Sequence, residues 1–214
     1  LDPAVERENF VFREQSREAC DKIRLGIEIG HAGVLPEQAD EVLGRREYDV
    51  VLSSLRNRVD APDCSELNYR ELDIPSMLRD YLTQLAENLD YENFDIAAHL
   101  TYPHRYILRQ GCGPIDLMDY RDCFEKILKK LIRMEKALEF NTSFLRQDIP
   151  ILMPDLSVAK LYYSLGGRLI SIGSDAHLAQ DLASGIKQTA AALRELGFTG
   201  ICTYRKRKRS IRPL

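Results

Sequence analysis

The feature that most constrains the fold is a regular alternation of strand-like and helix-like segments along the chain. Six short apolar runs are predicted to be strands, and they cover residues 23–31, 48–54, 94–100, 137–143, 169–174 and 199–204. Such alternation is typical of a parallel sheet covered by helices, because parallel neighbours need a crossover connection. The pattern alone fits an open sheet and a closed barrel equally well.

Helices are predicted between these strands from the spacing of apolar residues and from end signals. The predicted helices cover residues 3–22, 35–46, 75–88, 118–136, 157–165 and 181–196. Pro36 and Glu37 suit the first turn of a helix, and Gly166 and Gly197 follow the predicted ends of the last two helices. After residue 204 the chain is predicted to end in a basic tail.

Composition limits the class of protein. With 214 residues, of which 44% are hydrophobic and 29% charged, the chain is long enough for one core, and a single domain over 1–214 is expected. No apolar run approaches the length of a membrane span, and the charged start is not a signal peptide. The five cysteines are scattered without a C-x-x-C pair, which predicts a reducing cytoplasm rather than disulfides.

Polar side chains that can bind metal or transfer protons lie at or just past the ends of several predicted strands, namely Glu28, His99, Asn141, Asp175 and His177. The carboxyl ends of parallel strands meet at one edge, so these side chains are expected to lie together. An isolated Asp-x-His is more often a turn, and one buried histidine is more often a core residue. Because each unpaired buried polar group costs about 1–3 kcal/mol, a shared functional site explains the whole set better.

Two carboxylates and two imidazoles suit zinc, manganese or iron, and a bridging carboxylate can hold two such ions close together. Such centres activate water for hydrolysis, as in phosphatases and nucleases. A Ser-His-Asp mechanism is less favoured because the chain has no G-x-S-x-G element. Neither a G-x-G-x-x-G nor a P-loop sequence is present, which argues against nucleotide cofactors.

Five segments of the chain carry a family resemblance, namely Gly26-Ile27-Glu28, Phe94-Asp95-Ile96-Ala97-Ala98-His99-Leu100, Leu138-Glu139-Phe140-Asn141-Thr142-Ser143, Ile172-Gly173-Ser174-Asp175-Ala176-His177 and Tyr204-Arg205-Lys206-Arg207-Lys208. Together they resemble the polymerase-and-histidinol-phosphatase family, and they are most similar to its histidinol-phosphatase branch. This resemblance implies a distorted (β/α)7 TIM-like barrel and a metal-dependent phosphomonoester hydrolase, acting on histidinol phosphate in histidine biosynthesis.

The resemblance also implies up to three divalent metal ions at the end of the barrel. Glu28 matches the bridging carboxylate, His99 a ligand of the second metal, Asp175 a ligand of the first and His177 a ligand of the third. Asp175 and His177 are accordingly the predicted catalytic residues.

Two departures from the family pattern affect this expectation. The opening His-x-His strand of the family and the histidine of its next motif have no counterpart, so the barrel is expected to lack its first strands. Where the family shows Ser-x-His, this chain has Ser54-Leu55-Arg56. Arginine is not a metal ligand, but its guanidinium can replace a metal's charge or bind phosphate. Arg56, Asn141 and Arg146 are therefore the predicted substrate-binding residues.

Two functions compete on this basis. The first is a hydrolase of a small-molecule phosphate monoester, favoured by Glu28, His99, Asp175 and His177. The second is a catalytically impaired relative kept for binding or scaffolding, favoured by the missing motifs and by Arg56. Nucleic-acid binding is disfavoured. Six of the last ten residues are basic, but the chain as a whole has a net charge of -3, and one short basic cluster is weak evidence for a binding surface. The sequence predicts no oligomeric state.

Overall fold

The computed structural model describes residues 23–148 and 150–214. All six predicted strands are present, and a seventh follows them. They are β1 (Gly26–Gly30), β2 (Val50–Ser54), β3 (Ile96–Ala97), β4 (Ala137–Asn141), β5 (Ile170–Gly173), β6 (Gly200–Arg205) and β7 (Lys208–Pro213). The helix predicted over residues 3–22 lies outside the described residues.

Six α-helices accompany these strands in the described ranges. They are α1 (Pro36–Gly44), α2 (Ile74–Asn88), α3 (Tyr102–Arg109), α4 (Arg121–Arg133), α5 (Leu156–Ser164) and α6 (Ile186–Glu195). Two predicted starts are too early, because 3₁₀ turns over Leu117–Tyr120 and Ala179–Asp181 precede α4 and α6. Helix α3 was not predicted, although Pro103 in its first turn is a regular start signal.

Strands β1 to β5 form one parallel sheet in chain order. All five carboxyl ends therefore lie along one edge, which we call the rim. This confirms the predicted α/β class with parallel neighbours. The closed barrel is not confirmed, because β1 and β5 are the two edges of the five-stranded sheet in the part of the chain that is described.

The core lies between the sheet and its helices. Alternate residues such as Ile27, Val51 and Leu138 point to the helical side, and α2 supplies a buried stripe from Met77 to Leu85. Full burial of one such side chain stabilises the fold by roughly 1.5–3 kcal/mol. The polar residues of the rim lie at the strand ends and on the opposite face, which leaves them available for other contacts.

The opposite, amino end of the sheet is covered by an antiparallel hairpin of β6 and β7. Cys202 and Tyr204 of β6 pack with Ile96 and Ala137 on the inner face of the sheet. The predicted basic tail is therefore wrong for this segment, since its residues form strand β7. The turn residues Lys206 and Arg207 have φ values of 48° and 64°, as expected for a tight two-residue hairpin turn.

None of the helices in the described ranges is both long and apolar enough to cross a membrane. Four of the five cysteines lie in those ranges, and all four are free thiols.

Candidate active site

A cavity of about 320 Å³ opens at the rim. Glu28, His99, Asp175 and His177 all line it, so the structure brings together the four residues predicted as metal ligands. Arg56 and Arg146, two of the predicted substrate-binding residues, line the same cavity. Asn141, the third, does not belong to its wall.

Glu28 and His99 form one pair in the wall of the cavity. Glu28 Oε1 lies 3.2 Å from His99 Nε2, which links the middle of β1 to the segment just after β3. Burial would raise the pKa of Glu28, but the hydrogen bonds and charge of His99, Ser54 and Arg56 outweigh it and lower this pKa to about 2. Burial also opposes a charged His99, yet the nearby carboxylates raise its pKa. Each of the two side chains therefore favours the charged form of the other.

Asp175 and His177 form a second pair in the loop after β5. Asp175 Oδ1 lies 3.5 Å from His177 Nε2, and the His177 side chain is 87% exposed. Arg146 holds this loop, because its guanidinium donates to the Ser174 carbonyl at 2.7 Å and lies 3.6 Å from Asp181. Some of the N–H groups of Arg146 are therefore already hydrogen-bonded to the loop that presents Asp175.

Two of these residues have unusual backbone conformations. His99 has a φ of +29° and Asp175 a φ of +46°. Left-handed conformations cost a non-glycine residue on the order of 1–3 kcal/mol and persist where the surroundings hold them, often at functional sites. Both residues lie just past the end of a strand at the rim, so the strained backbone is found in the wall of the cavity.

Arg56 lies at the rim, as expected from the sequence. It donates to the hydroxyl of Tyr102 at 2.9 Å, and its Nε lies 3.3 Å from Asp63. Its positive charge also contributes to the low pKa of Glu28. Arg56 is therefore electrostatically coupled to the Glu28–His99 pair without contacting it directly.

Asn141 serves the turn after β4 instead of the cavity. Its Oδ1 accepts hydrogen bonds from the amide and the hydroxyl of Ser143, at 3.0 and 2.7 Å. Its Nδ2 lies 3.4 Å from Glu139 Oε2. The side chain thus makes its hydrogen bonds beneath the rim.

Helix α3 adds residues that sequence reasoning missed. Tyr102, Arg105, Tyr106 and Arg109 line the cavity, and the Arg105 guanidinium lies 4.1 and 4.6 Å from the ring centroids of Tyr102 and Tyr106. Their spacing of three and four residues was the available signal for one helix face. With Arg56 and Arg146, they give the cavity four arginines, which suit a phosphate group.

The donor chemistry of the site fits a divalent cation. His99 Nδ1 is buried without a hydrogen-bond partner, and the carboxylates of Glu28, Glu139 and Asp175 all act on this imidazole. Carboxylate and imidazole donors suit zinc, manganese or iron. Within residues 23–148 and 150–214, however, no three His, Cys, Asp or Glu side chains cluster as a metal site would require. The donors stand as two pairs around one cavity.

A larger cavity of about 560 Å³ lies between the inner face of the sheet and the hairpin. Its wall contains Arg24, Arg205 and Arg212 beside apolar and hydroxyl side chains, but no carboxylate or imidazole. It therefore lacks the donors of the rim, and the rim is the better candidate for chemistry.

Curated proteins related to the chain share one kind of name. The "probable histidinol-phosphatase" of Thermotoga maritima is 39% identical over 123 residues, which are 57% of this chain and 49% of that protein. The one of Clostridium acetobutylicum is 31% identical over 180 residues, 82% of this chain and 69% of that protein. The chain thus spans between half and about two thirds of these relatives. No family model matches it.

A solved structure has the same fold. The histidinol phosphate phosphatase of Lactococcus lactis, crystallised with zinc, L-histidinol and phosphate, aligns with a TM-score of 0.74 at 20% identity. The alignment covers 97% of this chain and 79% of that one.

Proposed function

The chain belongs to the histidinol-phosphatase family, and from this premise we propose that it is a metal-dependent phosphomonoester hydrolase acting on histidinol phosphate. One observation carries the proposal: two acid–imidazole pairs, Glu28 with His99 and Asp175 with His177, share a cavity with four arginines. Carboxylates and imidazoles can hold cations, while arginines can hold a phosphate. A cavity with both kinds of group suits a phosphate monoester, because cations and guanidinium groups can each bind its oxygens.

Glu28, His99, Asp175 and His177 would hold the divalent metal, with zinc, manganese or iron as the suitable ions. When bound, the metal would polarise the phosphoryl group and lower the pKa of water. Asp175 and His177 are proposed as the catalytic pair because they lie at the open mouth of the cavity. The Lactococcus relative, whose crystals contain zinc, supports this choice of cofactor.

The arginines would bind and orient the phosphate. Arg56, Arg105 and Arg109 come from two neighbouring segments after β2 and β3, and they face the cavity together with Arg146. Guanidinium groups donate in a planar fork that matches phosphate oxygens. Arg146 adds an indirect role, because it fixes the carbonyl next to Asp175.

We also propose that the 214 residues form part of a single domain with the distorted (β/α)7 barrel topology. The parallel order β1 to β5 and the fold shared with the Lactococcus protein support this. The free edges of β1 and β5 are where further strands would join.

The alternative, a catalytically impaired relative used for binding, is favoured by a specific observation. The described residues contain no cluster of three metal donors, and Arg56 places a permanent positive charge near Glu28. Metal content and turnover of the purified protein separate the two functions.

The test measures divalent metal by elemental analysis and phosphate release from histidinol phosphate and from an aryl phosphate. We expect bound metal and turnover that favours histidinol phosphate. Asp175→Asn keeps the shape and removes the charge, so it should lower kcat/KM by at least about 100-fold and weaken metal binding. Asp122→Asn, on the exposed side of α4 beside Arg79, is the matched control and should stay within about twofold.

Each outcome is informative. Bound metal without turnover supports the impaired alternative. If the protein shows no bound metal and no turnover, the proposed hydrolase is refuted. If Asp175→Asn retains full activity and metal content, Asp175 and His177 are only a polar turn.

A further inference from the structure

Glu139 is a buried carboxylate beneath the rim that the proposed chemistry does not use. It lies in the middle of β4, with 6% of its surface exposed, on the same face as Asn141. Burial of a carboxylate is costly unless hydrogen bonds compensate it. Its contacts therefore indicate why the fold retains it.

The principal contact is with the backbone of His99. The His99 amide donates to Glu139 Oε2 at 2.9 Å, across from β4 to the end of β3. This amide belongs to the residue with a φ of +29°. A hydrogen bond to a carboxylate is stronger than one between neutral groups, so it can hold the unfavourable backbone conformation in place.

The structure around Glu139 is shaped to receive it. Gly173 of β5 faces Asn141 across the ladder, and a Cβ atom at Gly173 would lie 2.4 Å from Glu139 Oε1. Only glycine leaves that space open. Asn141 Nδ2 approaches Oε2 of the same carboxylate from the other side. Glycine, asparagine and the His99 amide together form a slot for one carboxylate.

The imidazole of His99 depends on this backbone. Its ring contacts Glu28 through Nε2 and leaves the buried Nδ1 without a partner. A change in the backbone at His99 would move the ring away from Glu28. Burial raises the pKa of Glu139, and the charge and amide of His99 oppose that rise, so the two residues are also linked electrostatically.

We propose that Glu139 is a positioning residue, which fixes the backbone of His99 so that its imidazole faces Glu28 in the rim cavity. Its consequence for metal binding rests on the proposed function. Glu139 itself does not line the cavity in the described structure, so it acts through His99.

The test compares variants that differ in one property each. Glu139→Gln retains a hydrogen-bond acceptor, whereas Glu139→Met has a similar volume without a good acceptor. Gly173→Ala keeps the glutamate at position 139 but puts a methyl group in the space that its carboxylate occupies. The matched control is Asp95→Asn, which alters another buried carboxylate that accepts a backbone amide, from Val51 at 2.8 Å, at the opposite end of the sheet.

Two readouts are needed. Hydrogen exchange of the His99 amide, followed by NMR in metal-free protein, reports the contact directly. Zn²⁺ affinity, measured by competition with a chromophoric chelator, reports its consequence. We expect Glu139→Met and Gly173→Ala to speed His99 exchange at least about tenfold and to weaken Zn²⁺ binding about 10–100-fold. Glu139→Gln keeps an acceptor but loses the charge, so its values should fall between those of Glu139→Met and the native protein.

Asp95→Asn controls for a general loss of stability. When it is compared with the Glu139 and Gly173 variants at equal stability, measured by denaturant unfolding, Asp95→Asn should leave His99 exchange and Zn²⁺ affinity near native. If Glu139→Met and Gly173→Ala behave like Asp95→Asn in both readouts, the positioning role is wrong. If the native protein binds no Zn²⁺, the proposed function fails, and the His99 exchange rates alone still decide the role of Glu139.

Discussion

The two ends of the parallel sheet treat buried polar groups in opposite ways. At the amino end, Asp95 accepts from the Val51 amide and pairs with Arg207, while Asp49 accepts from the amides of Leu25 and Lys206. Those carboxylates tie the hairpin to the sheet. On the rim side, by contrast, several buried polar atoms have no hydrogen-bond partner.

The unpaired atoms are concentrated on one side of the molecule. In the described residues, the buried side-chain nitrogen and oxygen atoms without a hydrogen bond belong to Arg58, His99, Thr101, His104 and Arg105. All five residues follow the carboxyl ends of β2 and β3. Because native proteins pair most buried polar groups, such a concentration indicates a surface selected for something other than stability. In the described part of the chain, these unpaired atoms therefore lie on the rim side and not at the amino end.

The largest effect that would test this difference comes from Asp95. Asp95→Ala leaves the Val51 amide and Arg207 without their partner, so it should lower the free energy of unfolding by about 3 kcal/mol. Activity and Zn²⁺ affinity per folded molecule should not change. Denaturant unfolding and an assay of the folded fraction measure both.

Asp90→Ala is the control for Asp95→Ala, since Asp90 pairs with Lys130 while being mostly exposed. It should change stability by no more than about 0.5 kcal/mol. If Asp95→Ala reduces activity in protein that is still folded, the two ends are coupled and the comparison is wrong.

The same difference explains what the sequence could predict. Apolar periodicity predicts the six strands, and the shared direction of β1 to β5 brings Glu28, His99 and Asp175 to one edge. Both features follow from the local apolar pattern and from the strand–helix–strand connections that make the sheet parallel. Neither depends on one particular side chain. The position of Arg56 at the rim follows in the same way from the end of β2.

Other features depend on contacts that no local pattern contains. The highly charged segment of β7 looked like a solvated tail, because its strand exists only by pairing with β6. Alternation along β4 places Glu139 and Asn141 on one face, but only the fold shows that both are buried and that Asn141 is used in a turn. The left-handed backbone of His99 is likewise fixed by a residue 40 positions away.

His104 offers a second, smaller test on the rim side. Burial lowers the pKa of His104, and the charge of Asp155 only partly opposes this, so the folded state favours the neutral ring. Its contribution to stability is present above the ordinary pKa of about 6.5 and is lost as pH falls through the folded value.

Between pH 7 and pH 5, we therefore expect native protein to lose on the order of 1 kcal/mol more stability than His104→Leu. Urea unfolding at several pH values measures the two slopes. Equal slopes would show that protonation of His104 costs the fold nothing, and that its two unpaired nitrogens are harmless.

The smallest expected change in stability concerns Arg56, which can be compared with Arg207. Both arginines pair with an aspartate, but the side chains of Arg207 and Asp95 are 31% and 9% exposed, against 55% and 26% for Arg56 and Asp63. Exposed ion pairs contribute little because water screens them. Arg56→Gln should therefore change the free energy of unfolding by no more than about 0.5 kcal/mol.

Arg56→His should have an equally small effect on stability but a clear effect on the cavity. The charge of Arg56 helps to keep Glu28 ionised and would repel a metal ion bound near that carboxylate. Arg56→Gln removes that repulsion, while Arg56→His also adds an imidazole donor. We expect Zn²⁺ affinity, measured by chelator competition, to increase from native to Arg56→Gln and further to Arg56→His. If all three proteins bind Zn²⁺ equally, Arg56 does not replace the charge of a metal ion. Its proposed role at the rim is then phosphate binding alone.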